Sequence, residues 1–224
     1  MKDKKQLDLS LYLVTDRKLA GQRELVEVVQ KAVKGGVSVV QLREKELCAR
    51  EFYELGIRIK ELLPPDVPLL IDDRLDLALA IGADGLHLGQ RDLPVEIARK
   101  LLGPLAIIGL SVENLNQLQA AKQLPVDYLA ISPVFSTPTK TDTGPAWGLD
   151  GLRAARKLTD LPLVAIGGIN ERNAAAALEA GADGVAVVSA ICAAPDPEEA
   201  ARQLKKIILE ARKRMKSKQI VYKG

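Results

Sequence analysis

Eight short apolar runs, each followed by a stretch of helical period, predict a single (β/α)8 barrel. Three observations carry that expectation. The alternation continues without a break or a linker along 224 residues, a length that suits eight such units. Several runs are continuously apolar rather than alternating, as strands buried on both faces of a parallel sheet must be. The joints also repeat: Gly35–Gly36–Val37, Gly82–Ala83–Asp84–Gly85 and Gly181–Ala182–Asp183–Gly184 each end a helix with Gly and start a strand, with Pro125–Val126–Asp127–Tyr128 as a variant. An open doubly wound sheet is the competing architecture, and eight consecutive units favour closure.

The elements follow in chain order. Leu11–Asp16 is the first strand run, and the helix-period segment Glu24–Lys34 follows it. Val37–Arg43 leads to the helix Ala49–Leu63, and Pro68–Asp73 to the segment Arg74–Ile81. Gly85–Gly89 precedes a helix opened by Pro94, where a missing N–H costs nothing. Ala106–Ser111 is paired with the helix Glu113–Gln123, and Tyr128–Val134 with a long loop before its helix. Pro162–Gly168 and Gly184–Ala190 are the last two runs, separated by the helix Asn173–Ala180. Asp196–Pro197–Glu198–Glu199 announces the final helix: a capping residue, Pro at the first position, and acids in the first turn.

In a barrel of this kind, chemistry sits where the strands stop. The polar residues collect there: Thr15–Asp16, Gln41–Leu42–Arg43, Asp72–Asp73, Gly89–Gln90–Arg91–Asp92, Ser111, Ser132, Gly167–Gly168 and Ser189. The strand beginnings carry Val, Pro and Gly. That asymmetry points to an enzyme.

Composition narrows the class. With 47% hydrophobic and 27% charged residues the chain is an ordinary globular protein, which excludes disordered and collagen-like classes. The net charge of +3 is local, because residues 212–224 form a basic helix end and tail with no acid, so residues 1–211 are net negative. Together with 3% aromatics, this argues against a nucleic-acid partner. No apolar run is long enough for a membrane span, and MKDKKQLDLS lacks the features of a signal peptide. Cys48 and Cys192 belong to no metal-spaced cluster, and free thiols suit a cytoplasmic setting.

Three constellations carry chemistry. Gly167–Gly168 and Val188–Ser189 end the last two strands, where barrels of this class commonly hold a phosphate monoester on backbone N–H groups; simple chain turning is the plainer alternative. Asp72, Asp73 and Asp92 end the neighbouring third and fourth strands, and hard oxygen ligands without His or Cys suit Mg²⁺. Helix capping explains one Asp at each place but not the extra one. Gln41, Arg43 and Lys45, spaced by two, project to one side of the second strand toward those acids. The loop Ser136–Trp147 surrounds Lys140 with hydroxyl groups, as an anion-wrapping loop would. The only histidine, His87, lies inside its strand and reads as a packing or supporting residue. No catalytic Ser–His–Asp set, Cys nucleophile or Schiff-base Lys is evident, so covalent catalysis is not expected. Cations beside carboxylates point to Mg²⁺ with a diphosphate leaving group, and two small phosphorylated ligands meet in one mouth.

Taken in order, YLVTD, QLREK, the third-strand acidic pair, HLGQxD, GLS, STPTK, IGGI and VSAI resemble the thiamine-phosphate synthase family, from about Tyr12 to Ile191. The resemblance implies joining of hydroxymethylpyrimidine diphosphate to hydroxyethylthiazole phosphate, or its carboxylated form, with release of diphosphate. It implies that Gln41, Leu42, Arg43, Glu44, Lys45, Asp72, Ser111 and Lys140 hold the pyrimidine diphosphate, with Arg43, Lys45 and Lys140 stabilising the departing charge. Asp73 and Asp92 would bind Mg²⁺, and Thr137, Pro138, Thr139, Gly168, Val188 and Ser189 would hold the thiazole phosphate. The third-strand motif of the family is usually Asn–Asp, whereas this chain has Asp72–Asp73; a carboxylate cannot donate the hydrogen bond of an amide unless it is protonated, and otherwise it would join the metal. A related barrel, a thiazole tautomerase, uses a His after the sixth strand, where this chain has Ser132–Pro133–Val134. A non-catalytic sensor of thiamine phosphates is the alternative of another class. The oligomeric state stays open.

Overall fold

A computed structural model describes residues 7–137 and 144–221, with side chains to residue 217. Eight parallel strands close into a barrel in sequence order: β1 Leu11–Val14, β2 Val39–Leu42, β3 Leu69–Asp72, β4 Gly85–Leu88, β5 Ile107–Val112, β6 Tyr128–Ile131, β7 Leu163–Ala165 and β8 Gly184–Val187. Closure is made by β1 on β8, with Leu11 opposite Val185 and Leu13 opposite Val187. The helices between them are α1 Arg17–Ala20, α2 Leu25–Lys34, α3 Ala49–Leu62, α4 Leu75–Ile81, α5 Val95–Leu102, α6 Leu115–Ala121, α7 Gly148–Leu158, α8 Ala174–Glu179, α9 Ser189–Cys192 and α10 Pro197–Val221.

Strand alternation splits the core in two. Leu11, Leu13, Val40, Leu42, Leu69 and Ile71 face outward into the layer shared with the helices. Tyr12, Val14, Val39, Leu70, Ile107, Tyr128, Val164 and Ala186 face inward and fill the barrel. Both faces of β1 are apolar, as are both faces of β7 and β8, which is why those runs read as continuous rather than alternating.

The repeated joints have a physical reason at the bottom of the barrel. Asp84, Asp127 and Asp183 each stand immediately before an even-numbered strand, and their carboxylates accept an N–H from the first or second residue of the preceding odd strand: Leu69 at 3.0 Å, Ile108 at 2.8 Å and Leu163 at 2.8 Å. Ser38 does the same for Leu11 through its hydroxyl at 3.1 Å. Each side chain satisfies a donor that the ladder leaves unpaired at the strand start.

All strands but β5 stop earlier than the sequence runs suggest, and β5 runs one residue further, to Val112. Three strand tips turn where backbone geometry forbids extension: a cis Ser132–Pro133 bond after β6, Gly167 and Gly168 at φ 94° and 66° after β7, and Val188 after β8. The expected strand Gly184–Ala190 therefore divides into β8 and the short helix α9, which begins at Ser189. The final helix starts as expected, with Asp196 Oδ1 accepting from the N–H of Glu198 at 3.0 Å.

Candidate functional site

The strand tips surround a cavity of about 540 Å³, within the usual range for a small-ligand pocket. The expected residues Gln41, Arg43, Lys45, Asp72, Asp73, Asp92, Ser111, Thr137, Gly168, Val188 and Ser189 all line it. Alternation decides which residues of the second strand reach it. Odd positions point inward, whereas Leu42 is wholly buried in the outer core and Glu44 turns away to pair with Arg17 at 3.2 Å. The side chains of Leu42 and Glu44 thus do not join the others at the cavity. Burial, which outweighs Arg17, pushes the Glu44 carboxyl up. Pro138, Thr139 and Lys140 lie outside the described residues.

One corner of the cavity is ionic. The Lys45 ammonium is 2.9 Å from Asp72 and also bonds to Asp73, and the Arg43 guanidinium is 3.7 Å from Asp72 and 4.0 Å from Asp16. None of Asp72, Asp73 and Asp92 caps a helix: α4 opens at Arg74 without a side-chain cap, and Asp92 Oδ2 accepts the N–H of Gly89 at 2.7 Å while α5 opens at Pro94. Asp73 is the one non-glycine residue with a left-handed backbone among the described residues, at φ 59°. Such a conformation costs free energy and is tolerated best by Asn and Asp.

Burial raises the Asp72 carboxyl to about 6, with the Asp73 charge adding to the effect and Lys45 opposing it. Burial also favours the neutral form of Asp73, but hydrogen bonds from Lys45 and Asp92 outweigh it and hold that carboxyl low. Asp92 goes the other way, raised first by burial and then by its contact with Asp73. Lys45 is held charged, since the two carboxylates outweigh its desolvation. Asp72 accepts a hydrogen bond from Lys45 in this arrangement, and its carboxyl is raised, by burial first and in the direction expected from the like charge beside it.

A stability prediction follows from Asp72. Its folded-state pKa lies above the unfolded value of 3.8, so ionisation is disfavoured in the folded chain and stability falls as pH rises from about 4 to about 6. Asp72→Asn removes that slope. With chelator present, the variant should gain on the parent by up to about 3 kcal/mol between pH 4 and pH 7 in urea unfolding. A difference that stays constant across that range refutes the assignment.

Asp73 and Asp92 are the pair that fits a divalent cation. Two carboxyls in hydrogen-bond contact share one proton, and a cation in its place satisfies both. Among the described residues no cluster of three or more His, Cys, Asp or Glu exists, so water and substrate oxygens would complete the shell. That arrangement suits Mg²⁺.

The opposite corner is backbone. Gly167 and Gly168 adopt positive φ, and a Cβ on Gly168 would stand 2.8 Å from the Cβ of Phe135 and from the carbonyl of Ser136. Asn170 and Asn173 donate their side-chain N–H groups to the Gly168 carbonyl at 3.1 and 2.9 Å, fixing the turn. Val188 and Ser189 complete this side.

Beneath the mouth lies a polar chain that sequence reading left unassembled. Gln41 Nε2 donates to the Tyr12 hydroxyl at 2.7 Å, the hydroxyls of Tyr12 and Tyr128 are 2.8 Å apart, and the His87 ring joins Tyr128 at 2.8 Å through Nδ1 and Ser111 at 2.9 Å through Nε2. Burial pushes both phenols well above their ordinary range, which keeps them neutral. The available signal was inward-facing tyrosine at the second position of one strand run and the first of another. His87 sits inside β4 and supports the floor, as its position suggests.

Comparison with known proteins agrees with this architecture. The family model described as thiamine monophosphate synthase matches residues 11–191. Thiamine-phosphate synthase of Albidiferax ferrireducens is 58% identical over 201 residues, covering 89% of this chain and 92% of its own. The Syntrophomonas wolfei protein of the same name is 57% identical, covering 89% and 96%. The solved thiamine phosphate pyrophosphorylase of Pyrococcus furiosus superposes with a TM-score of 0.83 at 41% identity, over 92% of this chain and 98% of that one. The fold, the match along most of the barrel and these identities agree: the chain is an enzyme that belongs to the thiamine monophosphate synthase family.

Proposed function

We propose that the chain joins hydroxymethylpyrimidine diphosphate to hydroxyethylthiazole phosphate, or its carboxylated form, to give thiamine phosphate and diphosphate. The observation that carries this reading is a single cavity with two dissimilar anion corners. Cations and carboxylates occupy the tips of β2–β4, and backbone of Gly167–Gly168 and Val188–Ser189 occupies the tips of β7 and β8. One corner suits a diphosphate with a metal, the other a monoester. The names of the relatives support the same reaction.

The aminopyrimidine ring pushes electron density toward its CH₂–O bond, so that bond breaks before the thiazole nitrogen attacks the carbon. Arg43 and Lys45, with Lys140, neutralise the diphosphate as it leaves. Asp73 and Asp92 would hold Mg²⁺, which would supply further neutralisation of the leaving charge. Gln41, Asp72 and Ser111 orient the pyrimidine side, and Thr137, Pro138, Thr139, Gly168, Val188 and Ser189 hold the thiazole phosphate so that its nitrogen faces the carbon. No protein base is needed, because the nitrogen attacks as a lone pair. Incubation of the chain with both substrates and Mg²⁺ should yield thiamine phosphate by mass; absence of that product overturns the reading.

Lys140→Ala should lower kcat by roughly 10²-fold while leaving the KM for thiazole phosphate within a few-fold, because its charge acts on the leaving group as that charge develops. A variant with only a raised thiazole KM would place Lys140 on the other ligand.

A further inference from the structure

The chain under the cavity contains four hydrogen bonds, Gln41–Tyr12, Tyr12–Tyr128, Tyr128–His87 and His87–Ser111. A proton count orders it. With the Gln41 amide nitrogen donating to Tyr12, the Tyr12 proton has the Tyr128 oxygen as its acceptor. The Tyr128 proton then goes to His87 Nδ1, and a neutral imidazole carries its proton on Nε2, pointing at Ser111. Four links use four protons. A proton on His87 Nδ1 would reverse the order, sending the Tyr128 proton to Tyr12 and the Tyr12 proton to Gln41, whose amide would have to flip. Gly109 makes room for this arrangement, since a Cβ there would stand 2.3 Å from the Tyr128 hydroxyl.

We infer that Tyr12, Tyr128 and His87 are positioning residues whose ordered chain holds Gln41 as an acceptor and Ser111 as a donor toward the ligand ring. Gln41 stands on β2 and Ser111 on β5, so a flat ring lying between them meets an acceptor on one side and a donor on the other. A 4-aminopyrimidine offers the complement, an amino donor and, across the ring, the lone pair of N1. A 4-oxopyrimidine puts an acceptor against the Gln41 oxygen. The inference deepens the proposed function and rests on its pyrimidine reading for the ligand, whereas the proton order stands on the free protein.

Tyr128 does not line the cavity, which makes it the informative position. In Tyr128→Phe the Tyr12 proton loses its acceptor and turns to Gln41, whose amide flips and presents N–H groups to the ligand. The test has two arms on the full-length chain. Nitrogen NMR of ¹⁵N-histidine-labelled wild type at pH 7 should show neutral His87 protonated at Nε2; an Nδ1–H tautomer or an imidazolium overturns the proton order. Calorimetric binding of the 4-amino and 4-oxo forms of the 2-methyl-5-(diphosphooxymethyl)pyrimidine should favour the amino form by at least about tenfold in wild type. Tyr128→Phe should shrink or invert that ratio. Equal weakening of both compounds in Tyr128→Phe would reduce the chain to packing and overturn the inference. Failure of both to bind wild type would instead overturn the pyrimidine reading, and with it the role of the chain toward the ligand, while the tautomer is decided by the NMR arm.

Discussion

Asp73→Ala should reduce formation of thiamine phosphate by roughly 10³-fold or more, with the barrel still folded. Asp73 occupies the crossing point of the ionic corner: its carboxylate meets Lys45, contacts Asp92 and faces the cavity. Its left-handed backbone serves no helix cap, so the conformational cost is retained for the site rather than for the fold. Alanine removes the charge that makes Asp92 a cation partner and leaves Lys45 bound to Asp72 alone. Asp92→Ala should behave similarly, with the added loss of the bond to the Gly89 N–H. The assay is product formation at saturating substrates across a Mg²⁺ titration, with circular dichroism as the control. Full turnover in either variant, or turnover indifferent to chelator, removes the metal from the mechanism.

Gly184→Ala should cost at least about 3 kcal/mol and lower Tm by roughly 6–12 °C, with aggregation on heating. The glycine opens β8 at the seam where the barrel closes, and a Cβ there would lie 1.7 Å from the Leu9 carbonyl oxygen. That oxygen is backbone, so relief requires displacement of the segment leading into β1. Gly85 has the same relation to the Ile107 carbonyl, at 1.9 Å, which makes Gly85→Ala a second instance of one mechanism. Both glycines end a Gly–Ala–Asp–Gly joint. Thermal unfolding of the two variants checks the claim; a Tm within two degrees of the parent would mean that the seam yields easily.

The joints show how far reading a sequence extends. Their repetition was visible without coordinates, and it located the strand starts. Why aspartate recurs in them was not visible, because its partner is an N–H at the start of a strand 15, 19 or 20 residues earlier. Likewise, period-two spacing placed Gln41, Arg43 and Lys45 on one side. The same alternation excludes the Leu42 and Glu44 side chains that the motif as a whole had included. The run ending in Ala190 was read three residues too far because its apolar residues continue smoothly, whereas the backbone turns at Val188 to begin α9.

The order of apolar runs, their Gly joints and the polar strand ends determined the barrel, since these are local patterns that repeat along the chain, and the ordered motifs from YLVTD to VSAI carried the resemblance to the family. Tertiary structure alone decided the pairing of Lys45 with Asp72 and Asp73 and the contact of Asp73 with Asp92. It also decided the line from Gln41 through Tyr12, Tyr128 and His87 to Ser111. These contacts join residues on different strands across the barrel interior, at distances set by the geometry of the closed barrel, which the spacing of residues within one strand does not encode.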